Sequence, residues 1–201
     1  MSTHYGRMRK FFASLLEVLE IAVIAVAAVF IVRTFLVQPF LVSGTSMYPT
    51  FSNGDYVLTD EMTYRIRPPE RGEVVVFHDV SDYSTYLIKR VIGLPGERLV
   101  INNNTITIYN KQNPNGFVLD ESYLPGGTVT TGNEDVTLSS STYFMMGDNR
   151  AVSYDSRSWG PLPAGSIVGL VRFRLWPISA MQVFSAPHYS VSSSPASSTS
   201  S

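Results

Sequence analysis

Apolar residues are spread along this chain in two regimes. Residues 11–32 are almost continuously apolar, rich in Ala, Val, Ile and Leu and free of Gly and Pro, with Arg7, Arg9 and Lys10 ahead of them. A helix needs about 20 such residues to span a bilayer, so residues 11–33 read as a single transmembrane anchor. Glu17 and Glu20 share one helical face. A carboxylate at the bilayer centre costs about 2.5 to 3.5 kcal/mol, but both lie toward the basic end, near the headgroups. A cleavable signal peptide has an apolar core of about 7 to 15 residues closed by a small-x-small site. Here the run continues to Val32, and Arg33 and Phe35-Leu36-Val37 follow without such a site. The basic flank predicts that residues 1–10 are cytoplasmic and that everything after Arg33 is outside.

From Gln38 onward, short alternating or continuous apolar runs lie between turn residues, which is a β pattern. Strands are predicted at 56–58, 73–77, 86–92, 143–146 and 166–173. A hairpin pairs 99–101 with 105–109 across Asn102-Asn103-Asn104. Residues 110–140 are polar, with a weaker strand signal at 127–131, and read as part of a small β region inserted over about 98–142. No helical periodicity of useful length follows the anchor. The fold class is therefore mainly β: one N-terminal membrane helix, then an all-β domain over 34–184. A serine-rich tail, 185–201, lacks the apolar content to pack and is expected to be disordered.

Composition narrows the chemistry. A net charge of -1 over 201 residues offers no basic surface for nucleic acid. With no cysteine and three histidines, His4, His78 and His188, a thiol nucleophile, cysteine-ligated zinc and a multi-histidine metal site lack material. No metal or organic cofactor is called for.

Three stretches hold the candidate chemistry. In V-S-G-T-S-M-Y-P-T, residues 42–50, Gly44 gives backbone freedom and Pro49 directs the chain, so Ser46 is either a presented hydroxyl or one more loop serine. A serine without a histidine needs another base, and a neutral lysine serves. Of Lys10, Lys89 and Lys111, Lys89 lies in an apolar strand, where desolvation would lower its pKa. Strand alternation sends Lys89 and Arg90 to opposite faces and leaves open which one is buried. The third stretch, residues 147–160, carries Asp148, Arg150, Asp155 and Arg157. It reads either as a self-paired brace holding Ser153 against a buried amine or as a salt-bridged surface loop.

Together, S-M-Y-P-T, R-G-E-V-V-V-F, K-R-V-I-G-L-P-G-E and G-D-N-R-x-x-S-x-D-S-R-x-W-G, in this order behind an N-terminal anchor, resemble the type I signal peptidases of bacteria. The resemblance runs from Gln38 to about Pro177 and is weakest over 110–140. It implies a signal-peptidase-like catalytic domain with Ser46 as nucleophile, Lys89 as general base and Ser153 orienting the amine. Asp148, Asp155 and Arg157 would brace the site, and Met47 would support it as part of the first motif. The family's oxyanion hole uses the nucleophile's backbone N–H, sometimes with a serine hydroxyl two residues before it; here that residue is Gly44, so the second donor is missing.

The implied substrates are signal-peptide-bearing preproteins, cut after small residues at the first and third positions before the bond. The resemblance also implies location in the bacterial cytoplasmic membrane, with the lipid bilayer and possible proximity to the secretion translocon as context. Residues 35–42 are expected to add an apolar surface that dips into the lipid. The alternatives are a self-cleaving Ser/Lys protease of the repressor type and an anchored β-domain that binds partners without catalysis. His78, the remaining base, falls outside the matching motif.

Overall fold

The computed structural model describes residues 14–27, 37–187 and 189, and the chain divides into two units, Met1–Gln38 and Pro39–Ser201. In the first, residues 14–27 form a helix, α1, with exposed side chains. The other residues of the expected anchor, 11–13 and 28–33, lie outside the described residues. Among the described residues, no helix is long and apolar enough to cross a membrane.

The chain continues through β1 (Val37–Leu41), β2 (Tyr56–Asp60), α2 (Thr63–Ile66), β3 (Val74–His78), β4 (Tyr86–Gly93), β5 (Arg98–Asn102) and β6 (Thr105–Tyr109). Then follow β7 (Phe117–Val118), β8 (Glu134–Thr137), β9 (Thr142–Met146), α3 (Ser156–Trp159), β10 (Leu162–Pro163), β11 (Ile167–Trp176) and β12 (Gln182–Val183). The architecture among the described residues is mainly β, and α2 and α3 are single turns. The larger sheet runs β1-β2-β11-β3-β4-β9-β10, with β12 beside β11. The long β11 thus enters between β2 and β3 and pairs antiparallel with both.

The continuous apolar run of β3 has a direct cause. Strand side chains alternate between faces, and both faces of β3 are covered. Val74 and Val76 pack with Val42, Met47, Phe51, Val57 and Val171, whereas Val75 and Phe77 pack with Val91, Tyr143, Met145 and Leu162. β9 divides its residues in the same way: Tyr143 and Met145 join β3, while Phe144 and Met146 join a third cluster with Leu99, Ile101, Ile106 and Ile108. That third cluster joins the larger sheet to a second one, ordered β7-β6-β5-β8.

The hairpin of the second sheet turns at Asn103 and Asn104, both at positive φ (48° and 63°), with Asn102 opposite Thr105. Two-residue hairpin loops favour this geometry, and asparagine tolerates it. The strand expected at 127–131 is absent; these residues are coil. Their side chains serve another purpose, since buried Thr130 binds Arg150. At the far end, Phe184 packs against Phe51 with ring centroids 4.4 Å apart and planes tilted by 39°. Tyr189 packs against the third cluster, so ordered packing reaches into the segment expected to be disordered. Residues 188 and 190–201 lie outside the described residues.

Phe144 is fully buried where the two sheets meet. Phe144→Ala is expected to lower the unfolding free energy by about 3 to 5 kcal/mol in urea titration of the full chain. A loss under about 1 kcal/mol, the range of surface changes, would mean that the sheets do not share this core.

Candidate active site

The nucleophile candidate sits on a loop closed at its base by main-chain bonds. Val42 N–H donates to the Asp55 carbonyl, Gly54 N–H donates to the Val42 carbonyl, and Phe51 N–H donates to the Met47 carbonyl, each at 2.9 Å. Met47, 1% exposed, anchors the loop in the core beneath β3. Gly44 adopts φ +92°, a backbone region that favours glycine, and a Cβ there would meet open space. The missing side chain at that position thus leaves room beside the loop.

Lys89 reaches this loop from β4. Its Nζ donates to Ser46 Oγ at 2.8 Å and to the Ile88 carbonyl at 3.0 Å. Lys89 is 3% exposed and its neighbour Arg90 5%. The two point to opposite faces of β4, and both faces are covered. The choice between a buried lysine and a buried arginine that alternation left open is resolved as both, because Arg90 has its own counter-charge. Its guanidinium donates to Asp148 through Nε at 2.8 Å and Nη2 at 2.6 Å.

Burial is the main influence on the Lys89 amine and lowers its pKa from 10.5 to about 8, against the weaker opposing pull of Asp155, Asp148 and Asp79. The first two carboxylates are already taken. Thr50 Oγ1 and Arg90 bind Asp148, and Arg157 donates to both oxygens of Asp155 at 2.8 Å while Gly147 N–H adds a third bond at 3.0 Å. Burial alone would raise Asp155, but these donors outweigh it and hold the carboxyl below its usual range.

The 147–157 stretch is therefore only partly self-paired. Asp155 and Arg157 do brace each other, but Asp148 pairs with Arg90 of β4, and Arg150 leaves the stretch altogether. Fully buried, Arg150 donates to Glu121, to Tyr123 Oη at 2.9 Å, to Thr130 Oγ1 at 2.6 Å and to the Gly147 carbonyl. The reason is distance along the chain: partners 20 to 58 residues away carry no local signal.

Ser153 Oγ is buried and has no hydrogen bond of good geometry among the described residues. It does not donate to or accept from Lys89, as the resemblance implied, but stands within reach of Asp155 and helps keep that carboxyl low. Gly147 was not singled out from the sequence, and it sits where the three stretches converge. A Cβ there would overlap both Ser153 Oγ and the Ser46 carbonyl oxygen. Asn149 was missed too; its N–H donates to the Ser46 carbonyl at 3.0 Å and its side chain to the Thr45 carbonyl at 3.1 Å.

Beside Ser46 and Lys89 lies a cavity of about 100 Å³, walled by Val42, Ser43, Val76, Leu87, Ile88 and neighbouring side chains. It is apolar and small. Phe40 packs against the core and against Tyr86 rather than standing free, while Leu41 is exposed. Among the described residues no three His, Asp or Glu side chains come together to hold a metal ion. Chemically, a hydroxyl in contact with a desolvated amine is suited to nucleophilic attack with lysine as base.

Comparison with known proteins bears on this geometry. The model of the family described as signal peptidase, peptidase S26, matches residues 15–176. A probable signal peptidase I-2 of Synechocystis is 33% identical over 142 residues, covering 68% of this chain and 62% of that protein. Signal peptidase I of Bacillus caldolyticus is 36% identical over 154 residues, covering 68% of this chain and 78% of that one. The crystal structure of a signal peptidase I from Enterococcus faecalis V583 matches at 29% identity over 52% of this chain and 97% of that one, with a TM-score of 0.45.

The site geometry makes the Lys89 amine measurable apart from any activity. In an NMR titration of the lysine side chains, the signal lost in Lys89→Met should show a midpoint near 8. Asp155→Asn should move it lower, because the carboxylate favours the ammonium. A midpoint above about 10, the value of a solvated lysine, would mean that the amine is not buried.

Proposed function

The chain belongs to the signal peptidase, peptidase S26, family of serine endopeptidases, and from that premise we propose that it removes N-terminal signal peptides from exported preproteins through a Ser46/Lys89 dyad. The observation that carries the reading is the 2.8 Å contact between Lys89 Nζ and Ser46 Oγ, made by an amine whose pKa burial lowers to about 8. At that pKa about a tenth of the molecules carry a neutral amine at pH 7. Neutral Lys89 accepts the Ser46 proton as Oγ attacks the scissile carbonyl carbon. The tetrahedral oxyanion collapses, the C–N bond breaks, and the leaving amine takes the proton from the Lys89 ammonium. Lys89, neutral again, activates a water that hydrolyses the Ser46 ester and frees the signal peptide.

The backbone N–H of Ser46 is the proposed oxyanion donor. With Gly44 in place of a hydroxyl side chain, the second donor is a backbone N–H or a water in the open space beside it. The small apolar cavity beside the dyad suits small side chains at the first and third positions before the bond. Ser153 and Asp155 act together as support: the hydroxyl fills the space beside Gly147, and the carboxylate, neutralised by Arg157, stays off the lysine.

We read residues 11–33 as a single-pass anchor in the bacterial cytoplasmic membrane, with the N-terminus in the cytoplasm and the β-domain outside. The apolar run and the helix at 14–27 support this. Holding enzyme and preprotein on one bilayer, near the translocon, raises their effective concentration. A non-catalytic binding domain is less well supported, because it gives no reason to desolvate a lysine against a serine.

The test is cleavage of a preprotein with an Ala-x-Ala site. The parent should cut after the second Ala, and Ser46→Ala and Lys89→Ala should each lower kcat by about 10,000-fold or more. The rate should rise with pH to a plateau with a midpoint near 8, because the working form of Lys89 is the deprotonated one. A rate that falls as pH rises from 7 to 9, or equal cutting by all three proteins, would overturn the dyad.

A further inference from the structure

Two tyrosines from outside the three candidate stretches meet behind the Arg90–Asp148 pair. The Arg90 guanidinium gives Nε and Nη2 to Asp148, and its Nη1 donates to the Gly72 carbonyl at 2.7 Å. Over its face lies the ring of Tyr123, with the guanidinium carbon 4.4 Å from the ring centroid. Tyr123 is itself held twice. Its Oη accepts from Arg150 Nη2 at 2.9 Å, and the ring of Tyr189 meets it edge-on, with centroids 6.1 Å apart and planes at 87°. Tyr189 also fills the space at Gly72, where a Cβ would overlap its ring. The residue that accepts from Nη1 is thus backed by the same tyrosine that backs Tyr123.

The pair needs this support because one side of it is open. Arg90, Tyr123, Thr50 and Glu73 line a cavity of about 560 Å³. A guanidinium drawn off Asp148 has room there, and Glu73, buried on the same wall, offers it a second carboxylate. An aromatic face holds a cation most firmly where water is kept away. Tyr123 covers Arg90 in this way, and Tyr189 keeps Tyr123 in place.

Arg90 matters to the dyad through charge. The carboxylates that act on the Lys89 amine are Asp155, Asp148 and Asp79. Arg157 occupies Asp155, and Ser81 donates to Asp79 through its N–H and its hydroxyl, each at 3.0 Å. Asp148 is neutralised only as closely as Arg90 stays on it. A loosened Arg90 returns the Asp148 charge to the amine and admits water behind β4, and both changes favour the ammonium. Neither tyrosine titrates in this range: burial raises Tyr123 well above its usual 10 and Tyr189 to about 12.

We propose that Tyr123 and Tyr189 are positioning residues for the dyad: packed behind Arg90, they hold its guanidinium on Asp148 and keep that carboxylate neutralised beside Lys89. Their part in catalysis rests on the peptidase reading above, but their effect on the amine can be measured without it. Tyr123 comes from the segment where the family resemblance is weakest and Tyr189 from the tail expected to be disordered, so neither was a candidate in the sequence.

The test is the Lys89 side-chain NMR titration on the full chain, run beside preprotein cleavage. Tyr123→Ala should raise the Lys89 midpoint by about 0.5 pH or more, which leaves about 3-fold fewer neutral amines at pH 7. Its kcat at pH 7 should fall by the same factor, with KM unchanged and the loss recovered on the high-pH plateau. Tyr123→Phe and Tyr189→Phe, which keep the rings, should keep the parent midpoint, and Tyr189→Ala should raise it by less than Tyr123→Ala. Tyr123→Leu, which fills the space without a ring face, takes the place of Tyr123→Ala if the latter does not fold, and should move the midpoint in the same direction.

A Lys89 midpoint unchanged or lowered in the folded Tyr123 variant, or raised equally by Tyr123→Phe, overturns the assignment. An unchanged midpoint in Tyr189→Ala removes Tyr189 from it. Cutting by the parent and not by Ser46→Ala keeps the peptidase reading standing when the midpoints do not move. If the parent does not cut, that reading falls, and the midpoints alone decide whether the tyrosines act on the amine.

Discussion

The Lys89 amine is buried with no counter-ion of its own among the described residues, and much of the site's arrangement follows from that. The lowering of the Lys89 pKa from 10.5 to about 8 corresponds to roughly 3 kcal/mol against the charged form. The cost is carried by the folded chain while the amine is protonated, below about pH 8. It is relieved as pH rises from 8 toward 10.5, where the unfolded chain still binds the proton. A site that needed only stability would place a carboxylate against this lysine. Instead the hydroxyl of Ser46 and a main-chain carbonyl are its hydrogen-bond partners, and both accept a bond without fixing the proton.

Keeping the lysine unpaired requires the neighbouring acids to be occupied, and arginines do this. Asp148 is held by Arg90, and Asp155 by Arg157. Buried pairs of this kind contribute little net stability compared with apolar packing, but removal of one partner leaves an uncompensated buried charge. Loss of Arg157 would leave Asp155 to the lysine, whose proton would then be held more tightly. The pairs thus act on the lysine pKa as well as on the shape of the site. Arg150 does a separate job: it ties the same stretch to Glu121, Tyr123 and Thr130, so the polar 120–130 segment supports the site from outside the two sheets.

Much of the strand content was legible because each strand carries its own pattern between turn residues. The β3 run V-V-V-F reads as buried on both sides, and it is. The Asn-rich hairpin turn was equally local. What the sequence could not display is what depends on pairing between distant segments: the entry of β11 between β2 and β3, the closure of β1 on β4 through Phe40 and Tyr86, and the arginine partners. The strand expected at 127–131 does not form, and what Thr130 supplies instead is a side-chain bond to Arg150, 20 residues away and likewise without a local signal. Alternation along β4 correctly separated Lys89 from Arg90, but a pattern of two faces says nothing about both faces being covered. Ser46 and Lys89 were singled out as residue types and by family resemblance, and their 2.8 Å contact is a property of the fold.

Gly147 is the position where these constraints meet. The Ser46 carbonyl lies against one side of it and Ser153 Oγ against another, and its own N–H and carbonyl are bound by Asp155 and Arg150. A single methyl group at this point would push the Ser46 loop away from the 147–157 stretch, while Asn149 holds the two together through the Ser46 and Thr45 carbonyls. The proposed Ser46/Lys89 dyad would tolerate little of this, because a displacement of about 1 Å from productive geometry costs on the order of 100-fold in rate. The close approach that lets a serine on one loop meet a lysine on one strand therefore rests on an absent side chain as much as on the groups present.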